Sequence, residues 1–508
     1  MSLLRHASKV SSINLLSRVS GFIRDSVFAA TFGAGAELDV FLLAFKVPNF
    51  LRRIFAEGAF GQAFIPVLAE YNQQDPEIRA GFLSTVFSLL LFWVSVLTIA
   101  VWVYPEGLVR IFAMGYAPGS SAYLQASFLM RFVFPYLGLI AVSTFFSAAL
   151  QSKDHFQLPA LSPIILNIVL ITAALGVAHT AILPLYAFAA AVPLAGILQV
   201  AMLWFGYRKC FPAPKLVRSV AHSGAKKVMR LMAIGSYGVG VCQIGLIVDN
   251  SILTFLAKGS VSWVYFADRL CLLPLGVFGI AIATVLGPAL ARSFLDQKHA
   301  QYVQRVEWGV VCAGMLGIPC AIGLICFAKP IVIGLFCYKA FTIYHVEQTV
   351  FSLQIMALGV PAFMWVKVLG AAFFARQDTY TPTKAATISV MVNIAVALLS
   401  VYYLRHAAIA LAVVFSSYWQ AWYLYRQLSK QGVFQLHHTA RLELAKITLA
   451  SMSMVLVALA QPDVTWLLTN TVWLRLLYIA SIVCTAAVLY ALGLWGMRIQ
   501  MHKVVWQA

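Results

Sequence analysis

The chain has 508 residues, 62% hydrophobic and only 10% charged, with a mean hydropathy of +0.87, which excludes a water-soluble domain. The formal net charge of +19 does not point to nucleic acid, because the basic residues fall in short connections between apolar runs, where membrane topology explains them. Eight scattered cysteines and ten histidines show no metal-ligand spacing, and no HExxH, GxSxG or Walker loop is present, so no enzyme constellation and no cofactor are expected.

The N-terminus, "MSLLRHASKVSSINLLSRV", starts basic but lacks an uninterrupted apolar core followed by a cleavage site, and reads as retained. Apolar runs then recur to the end of the chain. At roughly 20 residues per crossing they give about fourteen spans, centred near residues 20, 48, 92, 136, 168, 195, 243, 277, 316, 361, 394, 417, 450 and 485. The expected fold is an all-α polytopic membrane protein. Basic residues collect in the even-numbered connections: Arg208, Lys209, Lys215, Arg218, Lys226, Lys227 and Arg230 after span six, Arg292, Lys298 and Arg305 after span eight, and Arg426, Lys430 and Arg441 after span twelve. The positive-inside rule therefore puts these connections and both termini in the cytoplasm.

Spans one and two are unusual for their charge. A charge facing lipid at the bilayer centre costs about 2.5 to 3.5 kcal/mol on insertion scales, so charged residues here must face a wet or paired interior. On a helical wheel Asn14, Arg18, Gly21 and Asp25 share one sector, flanked by Ser17 and Arg24. In span two Asp39, Lys46, Arg53 and Glu57 align, while Pro48 interrupts the helix and leaves the facing of Asn49 and Arg52 open. Span eight adds Asp268 and Arg269, and span ten adds Lys367.

Arginine stays charged in apolar surroundings and binds phosphate oxygens bidentately, so convergence of Arg18, Arg24, Arg52 and Arg269 would suit an anionic, phosphate-bearing substrate. The plainer alternative is that each pairs with a neighbouring acid or reaches an interface. Asp249, an acid in the middle of span seven, together with Asn393 of span eleven, is a candidate site for a monovalent cation or a proton. Packing with Asp249 protonated or hydrogen-bonded is the alternative.

An internal repeat is also legible. Pro135 and Pro361, Ala149 and Ala375, Gln151 and Gln377, and Asn167 and Asn393 are all 226 residues apart, and "PVLA" at Pro66 is answered by "PALA" at Pro288. Spans one to six and seven to twelve thus read as two copies in the same orientation, an arrangement common in transporters. The expected boundaries are 1–207 for an N-terminal six-helix lobe, 208–223 for a basic cytoplasmic connection, 224–430 for a C-terminal six-helix lobe and 431–508 for two additional helices.

The blocks "SRVSGFIRD", "GAELDVFLLAFKVPNFLRRIFAEGAFGQAFIPVLAEY", "GSVSWVYFADRL" and "FMWVKVLGAAFFARQDTYTPTK" resemble the MurJ/MviN family of bacterial lipid II flippases, within the multidrug/oligosaccharidyl-lipid/polysaccharide exporter superfamily. The resemblance covers essentially the full length. It implies two six-helix lobes forming a V around a cationic central cavity, two C-terminal helices forming a groove for a polyprenyl tail, and location in the bacterial inner membrane. It further implies lipid II, an undecaprenyl diphosphate bearing a disaccharide pentapeptide, as the partner moved among membrane lipids.

On that resemblance Arg24 and Arg269 would bind the diphosphate, with Arg18 and Arg52 shaping the same cavity. Asp39 and Ser262 match positions that line the cavity or gate its outer side, and Glu57 would bridge the lobes. One departure stands out: relatives commonly read A-D-R-L-x-E-x-P where this chain reads "ADRLCLLP", so no role of that Glu carries over to Leu272. The expected function is lipid II flipping for cell-wall biosynthesis. The alternatives are flipping of another polyprenyl-diphosphate-linked oligosaccharide, a drug/cation antiporter, and a membrane glycosyl- or phosphotransferase.

Overall fold

The computed structural model describes residues 2–52, 60–177, 184–217, 222–461 and 464–497, and among them the regular structure is helical, with no strand. That follows from composition: a chain this apolar must satisfy its backbone N–H and C=O groups within each crossing segment, and an α-helix does so. The chain divides into two compact units, Met1–Val261 and Ser262–Ala508.

The first unit contains α1 (Ser2–Phe32), α2 (Ala36–Arg52), α3 (Gly61–Tyr71), α4 (Pro76–Val103), α5 (Pro105–Phe112), α6 (Ser121–Val133), α7 (Tyr136–Gln151), α8 (Gln157–Val177), α9 (Pro184–Cys210) and α10 (Ser223–Thr254). Local signals set several boundaries. Pro76 opens α4 at a position where its missing N–H costs nothing, and Ser120 caps α6 by accepting the Tyr123 N–H at 3.3 Å. Gly33 leaves α1 at φ +64°, a conformation that favours glycine.

Within this unit α1 lies along α8, α2 packs on α6 and α7, and α7 packs on α4 and α9. Phe60, Phe64, Phe82, Phe145, Phe146 and Tyr207 fill a core that Val228 of α10 joins. α10 also packs on α3, α4 and α5, and its C-terminal end is held closely. Ser251 Oγ donates to Ile111 O at 3.1 Å, and the Gly115 N–H donates to Thr254 Oγ1 at 3.0 Å.

The second unit continues from α11 (Ser260–Pro274), which starts at the end of the first, through a π-helical turn at Leu275–Gly279 into α12 (Ile280–Leu295). It then comprises α13 (His299–Cys326), α14 (Ala328–Phe336), α15 (Ile343–Ala357), α16 (Val360–Ala375), α17 (Tyr380–Leu404), α18 (Ala407–Lys430), α19 (His438–Leu459), α20 (Val464–Thr469) and α21 (Val472–Gly496). The π turn directly follows Pro274, whose ring removes one N–H from the helical ladder. α13 packs on α12, α16 and α19, α17 on α18, and α19 on α21.

All fourteen expected span centres fall in helical segments. Ten helices among the described residues are long and apolar enough to cross a membrane, or eleven if the pair α15 and α16, bent by 40°, is one span. The more polar α1, α2 and α10 are outside that set. The apolar faces that remain open fit lipid: Phe92, Trp93, Ile99 and Trp102 on α4 are all more than half exposed. Tyr402 and Tyr403 at the end of α17 and Trp473 and Trp495 near the ends of α21 fit interfacial aromatic positions.

The residues matched by the internal repeat take corresponding places. Pro135 lies in the break between α6 and α7 and Pro361 in the first turn of α16, just past the break after α15, while Asn167 and Asn393 lie buried inside α8 and α17.

Candidate functional site

The charges of α1 are brought together by its packing on α8. Arg24 is only 6% exposed. Its Nη2 and Nε donate to Asp25 Oδ1 at 2.7 and 3.0 Å, and its Nη1 donates to Asn167 Oδ1 at 3.0 Å. The guanidinium also sits over the Phe28 ring, 5.6 Å from its centroid. Asn167 Nδ2 in turn donates to Ser17 O at 3.2 Å and Ser20 Oγ at 2.8 Å. Gly21 lies against Asn167, where an added Cβ would make an ordinary van der Waals contact with Nδ2 at 3.6 Å.

This network solves the desolvation problem of a buried arginine: a carboxylate supplies the counter-charge and a carboxamide occupies a further donor. Ser17 is half-buried at its edge, and Arg18 is exposed on the same helix. Asn167 was not singled out as a site residue from the sequence. Its one signal was the match to Asn393 across the repeat.

In α2, Asp39 is 4% exposed and accepts the Gly259 N–H at 2.6 Å, fixing the chain just before α11. One helical face further on, Lys46 Nζ donates to Asn250 Oδ1 at 2.6 Å, and the ammonium lies within electrostatic reach of Asp249. Asp249 is 7% exposed, and its Oδ1 has no hydrogen-bond partner among the described residues. Asn250 is thus a second polar contact that sequence reasoning missed. Asn49 turns back on its own helix, donating Nδ2–H to Phe45 O at 2.9 Å. Arg52 ends α2 with its side chain outside the described residues, and Arg53 and Glu57 lie outside them altogether.

In the second unit, α11 carries Ser262, fully buried, and Asp268 and Arg269, both half-buried. The Arg269 guanidinium stands over the Tyr265 ring at 4.9 Å, a cation–π contact that shields a charge in apolar surroundings. Leu272, one turn on, is 36% exposed. Lys367 is exposed on α16. Asn393 is buried in α17, with Oδ1 lacking a partner among the described residues. No group of three or more His, Cys, Asp or Glu among the described residues is arranged to hold a metal ion.

Buried, paired polar groups on helices whose other faces are open and apolar define the class: a multi-pass membrane protein. An inward-facing multidrug resistance MATE family transporter of the MOP superfamily has the same fold, with a TM-score of 0.67 at 13% identity, covering 87% of this chain and 98% of that one.

A family described as "Lipid II flippase MurJ" matches residues 28–480. The probable lipid II flippase MurJ of Haemophilus influenzae is 34% identical over 508 residues, covering 97% of this chain and 99% of the relative. A solved structure titled "Lipid II flippase MurJ, inward closed conformation" superposes with a TM-score of 0.80 at 25% identity, covering 96% of this chain and 99% of that one. The chain belongs to the lipid II flippase MurJ family.

Proposed function

We propose that this chain carries lipid II from the cytoplasmic to the periplasmic leaflet of the bacterial inner membrane by alternating access, with both termini cytoplasmic. Family membership supports the substrate. The single structural observation that carries the mechanism is the buried Arg24, held by Asp25 and Asn167 on the polar face of α1. A guanidinium kept charged at membrane depth is ready to exchange a protein oxygen for a diphosphate oxygen, because both are bound by the same planar set of donors.

In this account Arg24 and Arg269 engage the diphosphate, and Arg18 and Arg52 add positive potential along its path. Ser17 and Asn49 line the path, as do Asp268 and Lys367. Asp25 releases Arg24 to the substrate and takes it back. Asp39 and Ser262 belong to an outer gate, and Glu57 to a closure. The headgroup cannot cross hydrocarbon unaided, because its sugars and charges would lose their hydrogen bonds to water. The tail stays in lipid, along the apolar outer faces of α19 and α21, where Leu449, Leu456 and Leu477 are exposed.

Energy comes from the membrane potential, worth about 2.3 kcal/mol per charge at 100 mV, or from a monovalent cation or proton taken up at Asp249 and Asn393. Binding of purified protein to lipid II, challenged with other polyprenyl-diphosphate glycans, tests the substrate. Preferential retention of lipid II, lost in Arg24→Ala and Arg269→Ala, supports the proposal. Equal competition by an O-antigen or capsule precursor would move the assignment to a different lipid-linked glycan.

A further inference from the structure

A cavity of about 250 Å³ opens between α12 and α13, lined by Val285 and Leu286 on one side and by Gln301, Gln304, Arg305 and Trp308 on the other. It belongs entirely to the second unit and contains none of the residues assigned to transport above. Its chemistry is one-sided: a guanidinium, two carboxamides and an indole N–H, with no carboxylate in the wall.

Arg305 is fixed in place. Its Nη1 donates to Ala289 O at 2.6 Å and to Ser293 Oγ, and Ser293 Oγ itself donates to Ala289 O at 3.1 Å. Among the described residues that leaves Nε and Nη2 of a positioned fork for another acceptor. Trp308 Nε1 is buried without a hydrogen-bond partner among the described residues, a condition that costs folding free energy if nothing fills it.

Depth identifies the acceptor's source. Arg305 is six residues into α13, about 9 Å along the axis from the connection to α12 at 1.5 Å per residue. That connection is flanked by Arg292 and Lys298, and the positive-inside rule makes it cytoplasmic. The polar wall therefore stands near the boundary between headgroups and hydrocarbon, roughly 5 to 7 Å below the outer edge of the headgroup layer. Val285, 58% exposed, extends an apolar surface away from it.

We infer that this cavity is a binding site for the phosphate of an anionic phospholipid of the cytoplasmic leaflet. Arg305 Nε and Nη2 and the Trp308 N–H donate to the phosphate oxygens, Gln301 and Gln304 contact the glycerol headgroup, and an acyl chain lies over Val285 and Leu286.

The test uses the full chain in detergent, observed by native mass spectrometry while the last-retained lipid is stripped. Phosphatidylglycerol, phosphatidylcholine and inorganic phosphate are added in separate arms. Preferential retention of phosphatidylglycerol is expected, falling about tenfold in Arg305→Lys and about threefold to tenfold in Trp308→Phe, as loss of one or two charge-assisted hydrogen bonds requires. Lys226→Ala, a basic residue of the other unit, should leave it unchanged. Trp308→Phe keeps the ring, so it remains informative if Arg305→Lys disturbs the contact between α12 and α13. Equal phosphatidylglycerol retention in wild type and Trp308→Phe would overturn the site. Displacement of phosphatidylglycerol by millimolar inorganic phosphate would overturn the lipid as its source.

Discussion

Arg24 and Asn167, 143 positions apart in sequence, meet at 3.0 Å through Nη1 and Oδ1. The contact joins α1 to α8 at a point where the sequence alone shows only a charge in an apolar helix. The three members of the network fail differently. Asp25→Ala leaves a buried guanidinium without its counter-charge and should cost about 3 to 5 kcal/mol. Asn167→Ala removes one acceptor and should cost about 1 to 3 kcal/mol. Arg24→Lys keeps the charge but loses the fork, so it should fold nearly as well as wild type yet lose most function. Thermal unfolding in detergent, set beside complementation of growth, separates these outcomes; equal stability of Asp25→Ala and wild type would contradict the network.

Lys46 and Asp249 should be energetically coupled through their proximity and the bond from Lys46 to Asn250. Lys46→Met removes the cation beside a buried carboxylate and should destabilise the protein. Asp249→Asn in the same chain should recover part of the loss. A double-mutant cycle on unfolding free energy is expected to give a coupling of about 0.5 to 3 kcal/mol; a value near zero would show that the two groups act independently.

Two glycines predict opposite results. A Cβ at Gly115 would come within 2.4 Å of Thr254 backbone carbon, so Gly115→Ala must push the loop before α6 off the end of α10, a loss of about 1 to 3 kcal/mol. At Gly81, inside α4, a Cβ meets nothing within 4 Å, and Gly81→Ala should be neutral or stabilising by up to about 1 kcal/mol. Melting temperatures of the pair check the packing of the first unit.

His406, between α17 and α18, is 3% exposed and donates Nε2–H to Gln348 O at 3.0 Å. Burial holds its pKa below the usual 6.5, against the opposing effect of the bond to Gln348. The unfolded chain therefore binds more protons than the folded one below about pH 6.5, and stability should fall as pH drops through that value. Melting curves across the range should show the loss in wild type and a flatter profile in His406→Gln.

Much of this architecture was legible in the sequence because lipid imposes one rule on every crossing segment. The fourteen apolar centres all lie in helices. The polar face of α1 was also readable, since Asn14, Arg18, Gly21 and Asp25 share one sector by helical period with Ser17 and Arg24 flanking it. What could not be read was which residue each charge meets. Asn167 and Asn250 are brought to Arg24 and Lys46 across 143 and 204 residues by helix packing, and no local pattern records that. Short helices such as α3, α5, α14 and α20 were also invisible, because they lack the length signal of a span.

The central claim is that this chain delivers lipid II to the outer leaflet through a site that includes Arg24. It is tested most directly by the fraction of labelled lipid II reachable by an outer-face probe after depletion of the protein, with rescue by wild type or Arg24→Ala. Depletion should remove the accessible pool, wild type should restore it, and Arg24→Ala, shown to be folded and present in the membrane, should not. An accessible pool that survives depletion in cells with no second flippase, or that Arg24→Ala restores in full, would contradict the account.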